Sequence, residues 1–249
     1  MRWQFFFLCI IFLSAATMKA SLLKTTPFAL NLKTIEDIEV PAGYERISVS
    51  KESFGSFLRK QQLKKDKTVY LYNGKPKANQ TAQYAVLNIS TGDKDLQQCA
   101  DAVMRLRAEY LKNKNAVICF VDNANTKYIW NNKRYNDWQH YLEIVFSMCG
   151  TLSLQKQLKT QSWDQLSIGD VLIKGGSPGH AVIVLDVAQH RQTGEKIFLL
   201  AQSYMPAQDI HLLQNLEETE LSPWFKVSKD NIIHTPQWTF YANQLRKWE

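Results

Sequence analysis

The chain has 249 residues, of which 45% are hydrophobic and 12% aromatic, enough to bury a full core. This composition excludes an intrinsically disordered chain, and the absence of an internal repeat or low-complexity tract excludes solenoid and fibrous proteins. The formal net charge of +7 is moderate, and the densest basic cluster, residues 59–67 (RKQQLKKDK), has no interleaved aromatic residues. We therefore expect a solvated face there rather than a nucleic-acid interface; attraction to an anionic wall or membrane surface stays open.

The first residues have the pattern of a secretory signal peptide. Arg2 precedes an apolar run at residues 5–13, and small residues follow with candidate cleavage sites after Ala16 and Ala20. We predict a signal peptide at residues 1–20 and an exported mature protein, periplasmic or extracellular. No later segment is long and apolar enough to suggest a membrane span in the mature form. Residues 21–249 are predicted to form a single domain with an N-terminal extension and a loop-rich C-terminal tail.

Three cysteines remain after the predicted cleavage, and an odd number in an oxidising compartment leaves at least one free thiol. Cys119 lies in an apolar strand pattern and Cys149 ends an apolar helix pattern, so both are expected in the core, and a disulfide between them stays open. Cys99 differs because it lies at the start of a predicted helix.

The helix predicted over residues 96–111 contains Cys99 in its first turns. Cys99, Val103, Leu106 and Tyr110 follow a spacing of four, three and four residues, which places them on one buried face. The unpaired amides and the dipole at a helix start favour a thiolate and predict a lowered pKa for the Cys99 thiol, although a cysteine that is merely packed on the buried face of the helix is an equal alternative.

Residues 169–204 contain two apolar runs joined by a polar turn. A glycine-rich loop at residues 175–179 leads into His180, which opens a β-branched run, and the returning run ends at Gln202. A hairpin turning near Arg191 brings His180 and Gln202 together at one end of the two strands. An imidazole steadied by a side-chain amide can take the proton of a thiol, although a structural, hydrogen-bonded histidine is the simpler alternative.

The order of these residues resembles that of papain-like cysteine peptidases, in which a thiol on a helix precedes a His-strand-turn-strand-Asn segment. The approach from Gly169–Asp170 into Gly179–His180 is similar to that of the NlpC-type cell-wall peptidases of the same broad fold. The resemblance implies an α+β fold with a papain-like core, in which a nucleophile helix packs on an antiparallel sheet. It also implies Cys99 as nucleophile, His180 as base and Gln202 as the residue that orients the ring.

Two features depart from that pattern. NlpC-type enzymes usually have Asp-Cys-Ser-Gly at the nucleophile, whereas this chain has Gln-Cys-Ala-Asp at residues 98–101. Glutamine at 202 replaces the commoner histidine or asparagine. Over its whole length, the chain also resembles a family of exported bacterial proteins with no assigned activity.

These features predict an exported cysteine hydrolase or acyltransferase that acts on an amide bond, with cell-wall peptide as the substrate suggested by the family analogy. The alternative is a non-catalytic cell-wall or glycan-binding module that retains the fold. Trp130 and Trp138, in an aromatic segment, and Tyr204 are candidate substrate-binding residues, although burial of the two tryptophans in an irregular connection is the simpler alternative. We expect no cofactor and no metal, because Asp209 and His211 form a pair without a third ligand at a recognisable spacing.

Overall fold

The computed structural model describes residues 33–249 apart from residues 132 and 229, and the predicted signal peptide lies outside the described residues. The four α-helices of this part of the chain are α1 (Phe54–Arg59), α2 (Cys99–Asn113), α3 (Trp138–Met148) and α4 (Thr151–Gln157). Within the same residues, none of the helices has the length and hydropathy that a membrane crossing requires.

The strands of the described residues number thirteen. They are β1 (Tyr44–Arg46), β2 (Gln83–Val86), β3 (Cys119–Val121), β4 (Lys127–Ile129), β5 (Lys159–Thr160), β6 (Val171–Lys174), β7 (His180–His190), β8 (Lys196–Gln202), β9 (His211–Leu213), β10 (Trp224–Phe225), β11 (Ile232–Thr235), β12 (Trp238–Tyr241) and β13 (Leu245–Lys247).

Nine of these strands form one sheet in which every pairing is antiparallel, with the order β2-β9-β8-β7-β6-β13-β5. β1 pairs with the far end of β7, and β10 pairs with β8. Two small hairpins, β3-β4 and β11-β12, complete the strand pairing of the described residues. The fold is therefore α+β with a large antiparallel sheet.

The core lies where α1 and α2 pack against β7 at the centre of the sheet. β7 is buried from His180 through Ala188, as its continuous apolar run predicts for a strand covered on both faces. On α2 the predicted apolar face is buried at Val103 and Leu106, and Tyr110 is half-buried. The nucleophile candidate thus begins a helix that is held against the sheet by hydrophobic burial.

The structure corrects three sequence-based expectations. Residues 68–72 (TVYLY), whose β-branched and aromatic composition predicts a strand, form only isolated bridges, Tyr70 with Pro76 and Leu71 with Gln208. The tail expected as loops contains five short strands, because β9, β10 and β13 extend the main sheet and β11 pairs with β12. Arg59 is not part of a solvated basic face, since it is buried and binds Asp186.

Candidate active site

A cavity of about 350 Å³ lies where the start of α2 meets the ends of the central strands. Its lining includes Cys99, His180 and Tyr204, which are three of the site residues predicted from the sequence. The start of α4 and the glycine-rich loop before β7 also line it. The fold therefore brings residues distant in sequence to one concave surface of a size typical of small-ligand sites.

His180 and Gln202 form a buried hydrogen-bonded pair. His180 is the first residue of β7 and Gln202 the last residue of β8, so the hairpin brings both to the same end of the sheet. The distance from His180 Nε2 to Gln202 Oε1 is 2.8 Å, and each residue is only 1% exposed. With Nε2 occupied, Nδ1 is the ring nitrogen left to accept a proton.

Cys99 is the first residue of α2 and is 8% exposed. The Ser203 hydroxyl donates to the Gln97 carbonyl at 2.8 Å, which fastens the end of β8 to the residues preceding the helix. The backbone N–H of Ala181 stabilises the thiolate form of Cys99 and so acts to lower its pKa, which means that the sulfur lies near the start of β7. In the described residues, no hydrogen bond joins the Cys99 thiol to the His180 ring, although both line the same cavity.

The protonation states differ from the expected thiolate. Burial, followed by the charge of Asp101, raises the pKa of the Cys99 thiol to about 11, and the nearby backbone N–H groups only partly oppose this. Burial lowers the pKa of His180 to about 4, although the hydrogen bond to Gln202 acts in the opposite direction. The expected lowering of the thiol pKa is therefore wrong for this structure, since loss of hydration outweighs the amides of the helix start. Thiol and imidazole are both neutral at pH 7.

Three aromatic rings enclose the imidazole of His180. The ring centroids lie 5.0 Å away for Tyr204, 5.4 Å for Trp238 and 5.8 Å for Phe240. Trp238 and Phe240 belong to β12, in the tail that the sequence suggested would be loops. This enclosure restricts rotation of the ring and accounts for its low exposure.

The loop between β6 and β7 fixes the entry into His180. A side chain at Gly179 would bring its Cβ within 2.3 Å of the Gly176 carbonyl oxygen and 2.6 Å of Thr151 Oγ1. The Gly175 N–H donates to Gln155 Oε1 at 2.7 Å, which holds the loop on α4. Glycine at 179 is therefore required by close packing, and that packing sets the position of His180.

A polar network lies behind the His180–Gln202 pair. Gln202 Nε2 donates to Gln237 Oε1 at 2.8 Å and contacts His211 Nε2 at 3.3 Å. Lys77 Nζ donates to the same Gln237 oxygen at 2.7 Å, and Lys77 is 8% exposed. His211 Nδ1 lies 2.9 Å from the Asp209 carbonyl oxygen, so His211 is part of this network.

Sequence reasoning missed Lys77, Gln237 and Trp238 because they come from loops and from the tail, with no periodic or motif signal. Asp209 does not pair with His211 through its side chain, because its carboxylate binds Lys64 Nζ at 2.8 Å and the Tyr70 N–H at 3.0 Å.

Trp130 and Trp138 do not line the cavity around Cys99. Their ring centroids are 5.2 Å apart, and both rings pack against the buried Tyr141. Trp138 also lies 4.4 Å from the Lys112 ammonium. Of the three aromatic residues proposed to contact substrate, only Tyr204 reaches this site.

Residues 35–129 and 118–247 match the family model described as Domain of unknown function (4846). The chain belongs to this family. The two matched segments together span the described fold, including α2, the β7–β8 hairpin and β12. No curated protein and no solved structure matches the sequence. For this family member, the function must therefore be argued from the site itself.

Proposed function

We propose that this protein is a cysteine hydrolase or acyltransferase that acts on amide bonds with a papain-like arrangement of Cys99, His180 and Gln202. The observation that carries the proposal is the 2.8 Å contact between His180 Nε2 and Gln202 Oε1 at a cavity that Cys99 also lines. A thiol at a helix start, an imidazole opening a strand and an amide closing the next strand form the order of a papain-like site.

In the proposed reaction, His180 Nδ1 accepts the proton of the Cys99 thiol as sulfur attacks the carbonyl carbon. The protonated ring then donates this proton to the leaving nitrogen, the C–N bond breaks, and a thioester remains on Cys99. Water completes hydrolysis by attacking the thioester, and a second amine at that step gives acyl transfer. The backbone N–H of Cys99, which has no intrahelical acceptor at the first position of α2, is the proposed donor to the carbonyl oxygen.

The neutral thiol and imidazole make proton transfer part of the attack itself, rather than a step completed beforehand. A resting pair with pKa values of about 11 and about 4 holds the proton on sulfur at pH 7. The same values favour the second candidate, a wall- or glycan-binding module in which Cys99 is a buried core residue. The two candidates differ in whether His180 increases the reactivity of Cys99.

Cys149 offers an internal control for this question. It lines the same cavity, is 6% exposed, and burial raises the pKa of its thiol to about 12. Iodoacetamide labelling of the folded protein, with each cysteine followed by mass spectrometry, compares the two thiols under identical conditions.

If His180 acts as the base, Cys99 labels faster than Cys149, and His180→Phe slows Cys99 labelling by about 10²-fold, as expected for loss of a general base. Phenylalanine keeps a ring among Tyr204, Trp238 and Phe240. His234→Phe, which alters an exposed histidine, is the matched control. Equal labelling of Cys99 and Cys149 in every variant contradicts catalysis and leaves the binding module.

We propose cell-wall peptide as the substrate and an exported location, on the family analogy and the pattern of residues 1–20. Incubation of the mature protein with wall peptides, followed by mass spectrometry of the products, tests the substrate. Cleavage must disappear in Cys99→Ala. Retained cleavage in that variant excludes Cys99 as the nucleophile.

A further inference from the structure

The orientation of the Gln202 amide determines which nitrogen of His180 can act as a base. If Oε1 of Gln202 faces the ring, His180 Nε2 carries the proton and Nδ1 is free. If the amide were reversed, its NH₂ group would face the ring and require an unprotonated Nε2. The proton would then occupy Nδ1, the nitrogen that must accept the thiol proton. The proposed chemistry therefore needs one amide orientation only.

Lys77 supplies a fixed starting point for this orientation. An ammonium group can only donate hydrogen bonds, so the Gln237 atom 2.7 Å from Lys77 Nζ must be the carbonyl oxygen. That oxygen also lies 2.8 Å from Gln202, so the Gln202 atom facing it must be the NH₂ group. Its other end, Oε1, then faces His180 at 2.8 Å. Each step permits only one assignment of donor and acceptor.

His211 gives a second, weaker constraint in the same direction. The Asp209 carbonyl can only accept, so His211 Nδ1 donates to it at 2.9 Å and Nε2 is left as an acceptor. Gln202 Nε2 faces that acceptor at 3.3 Å, which is longer than the 2.8 Å contact to Gln237. The shorter hydrogen bonds form the series that begins at Lys77, so we expect Lys77 to be the stronger of the two constraints on the Gln202 amide.

The Lys77 ammonium is buried without a carboxylate nearby, among the described residues, to neutralise its charge. No carboxylate in this part of the chain forms an ion pair with the Lys77 ammonium, which besides its contact with Gln237 lies 6.0 Å from the ring centroid of Tyr204. Burial lowers the pKa of Lys77 to about 8, so the amine stays mostly protonated at neutral pH although burial of the charge is unfavourable. Buried lysines without a carboxylate partner are rare, which points to a role at the site.

We propose that Lys77 is a positioning residue that sets the tautomer of His180 through the amides of Gln237 and Gln202. Lys77 does not contact the substrate in this proposal. It keeps the His180 Nδ1 lone pair available, and the inference rests on the proposed function only for the use that Cys99 makes of that lone pair.

The test measures the tautomer directly. Long-range ¹H–¹⁵N NMR spectra of ¹⁵N-histidine-labelled protein at pH 7 distinguish a protonated Nε2 from a protonated Nδ1 in each of the five histidines, with His180→Phe used for assignment. We expect the Nε2–H form of His180 in the wild type and a mixture of both tautomers in Lys77→Met. Lys75→Met, which alters an exposed lysine two residues away, is the control.

A second substitution separates positioning from a general structural effect. Gln237→Glu replaces the amide by a carboxylate, which can only accept from the Gln202 NH₂ group. It should therefore restore the Nε2–H form in the Lys77→Met background. A lost and unrestored tautomer overturns the inference, as does an unchanged tautomer in Lys77→Met. Thermal unfolding checks that each variant is folded.

Cys99 labelling links the tautomer to reactivity. A wrong tautomer costs a nucleophile–imidazole site up to about 10⁴-fold in rate, and Lys77→Met leaves the His211 constraint in place, so we expect a loss of about tenfold. The two proposals fail separately. A tautomer that is unchanged in Lys77→Met, together with Cys99 labelling that depends on His180, overturns this inference alone. A tautomer that depends on Lys77, with Cys99 labelling indifferent to His180, overturns the proposed function alone.

Discussion

Asp101 is the residue whose charge most directly opposes a thiolate at Cys99. Its carboxyl group lies in the first turn of α2, where Oδ2 accepts the Gln98 N–H at 2.9 Å and Oδ1 has no partner among the described residues. Burial raises the pKa of Asp101 well above its ordinary value, and the Asp101 charge is the second largest cause of the raised Cys99 pKa. One carboxyl group therefore both caps the helix and restrains the nucleophile.

We expect Asp101→Asn to lower the pKa of the Cys99 thiol, because asparagine keeps an acceptor for the Gln98 N–H but carries no charge. Asp101→Ala should also lower it, but with a loss of about 1 kcal/mol in the free energy of unfolding, since the cap is removed. The measurements are the pH profile of iodoacetamide labelling at Cys99 and urea unfolding. An unchanged labelling profile in Asp101→Asn would show that Asp101 exerts no charge on Cys99, as expected if burial keeps the carboxyl group protonated.

At the scale of elements, β7 carries both a residue of the candidate site and a buried ion-pair cluster that stabilises the fold. His180 begins the strand, and Asp186 lies further along it, after an irregularity in the pairing with β8 between Val184 and Asp186. The fully buried Asp186 carboxylate binds Arg46 Nε at 2.6 Å and Arg59 Nε at 2.8 Å. These two ion pairs tie β1 and α1 to the strand that carries the imidazole.

Removing the charge of Asp186 should strongly destabilise the protein, because it leaves two arginines without their buried partner. Breaking a buried ion pair typically costs about 3–5 kcal/mol, and we expect Asp186→Asn to lower the free energy of unfolding by that amount. The matched control is Glu45→Gln, which removes an ion pair to Arg191 whose side chains are 64% and 66% exposed. That change should cost under about 1 kcal/mol in urea unfolding. Equal losses in the two variants would contradict a structural role for the Asp186 cluster.

The sequence predicted elements whose signals are local. Local patterns predicted the helix start near Cys99, the continuous apolar strand after His180 and the turn near Arg191. The strand and the turn together bring His180 to Gln202. The sequence did not predict that residues of β12 enclose the His180 ring, because β12 lies in a tail of short strands without a clear periodic pattern. The thiol pKa was also missed, since burial of Cys99 depends on how α2 packs against β7, which no local pattern specifies.

At the scale of the whole molecule, the site places two uncharged imidazoles inside the core. Burial lowers the pKa of His180 to about 4 and that of His211 to about 3. The folded state therefore binds fewer protons than the unfolded chain between those values and about 6.5. Stability from these groups is fully present above pH 6.5 and is lost as the pH falls toward the folded-state pKa values.

The buried carboxyl group of Asp170 has the opposite effect on how stability depends on pH. Burial raises the pKa of Asp170 to about 6, so the folded state binds more protons there between pH 6 and 3.8 and gains stability as the pH falls. The net acid dependence of the wild type combines these opposing effects. A difference between two variants that share Asp170 isolates the contribution of one histidine.

We expect His211→Gln to flatten the loss of stability between pH 6.5 and 4 by up to about 1.4 kcal/mol per pH unit relative to the wild type. The physical reason is that glutamine cannot bind the proton that the unfolded chain gains at His211. Urea unfolding at a series of pH values gives the two curves, whatever offset the lost hydrogen bonds introduce at neutral pH. His234→Gln, at an exposed position, is the control and should run parallel to the wild type. A parallel curve for His211→Gln would mean that His211 binds its proton at the same pH in the folded and unfolded chains, so below about pH 6.5 its Nε2 could no longer accept from Gln202.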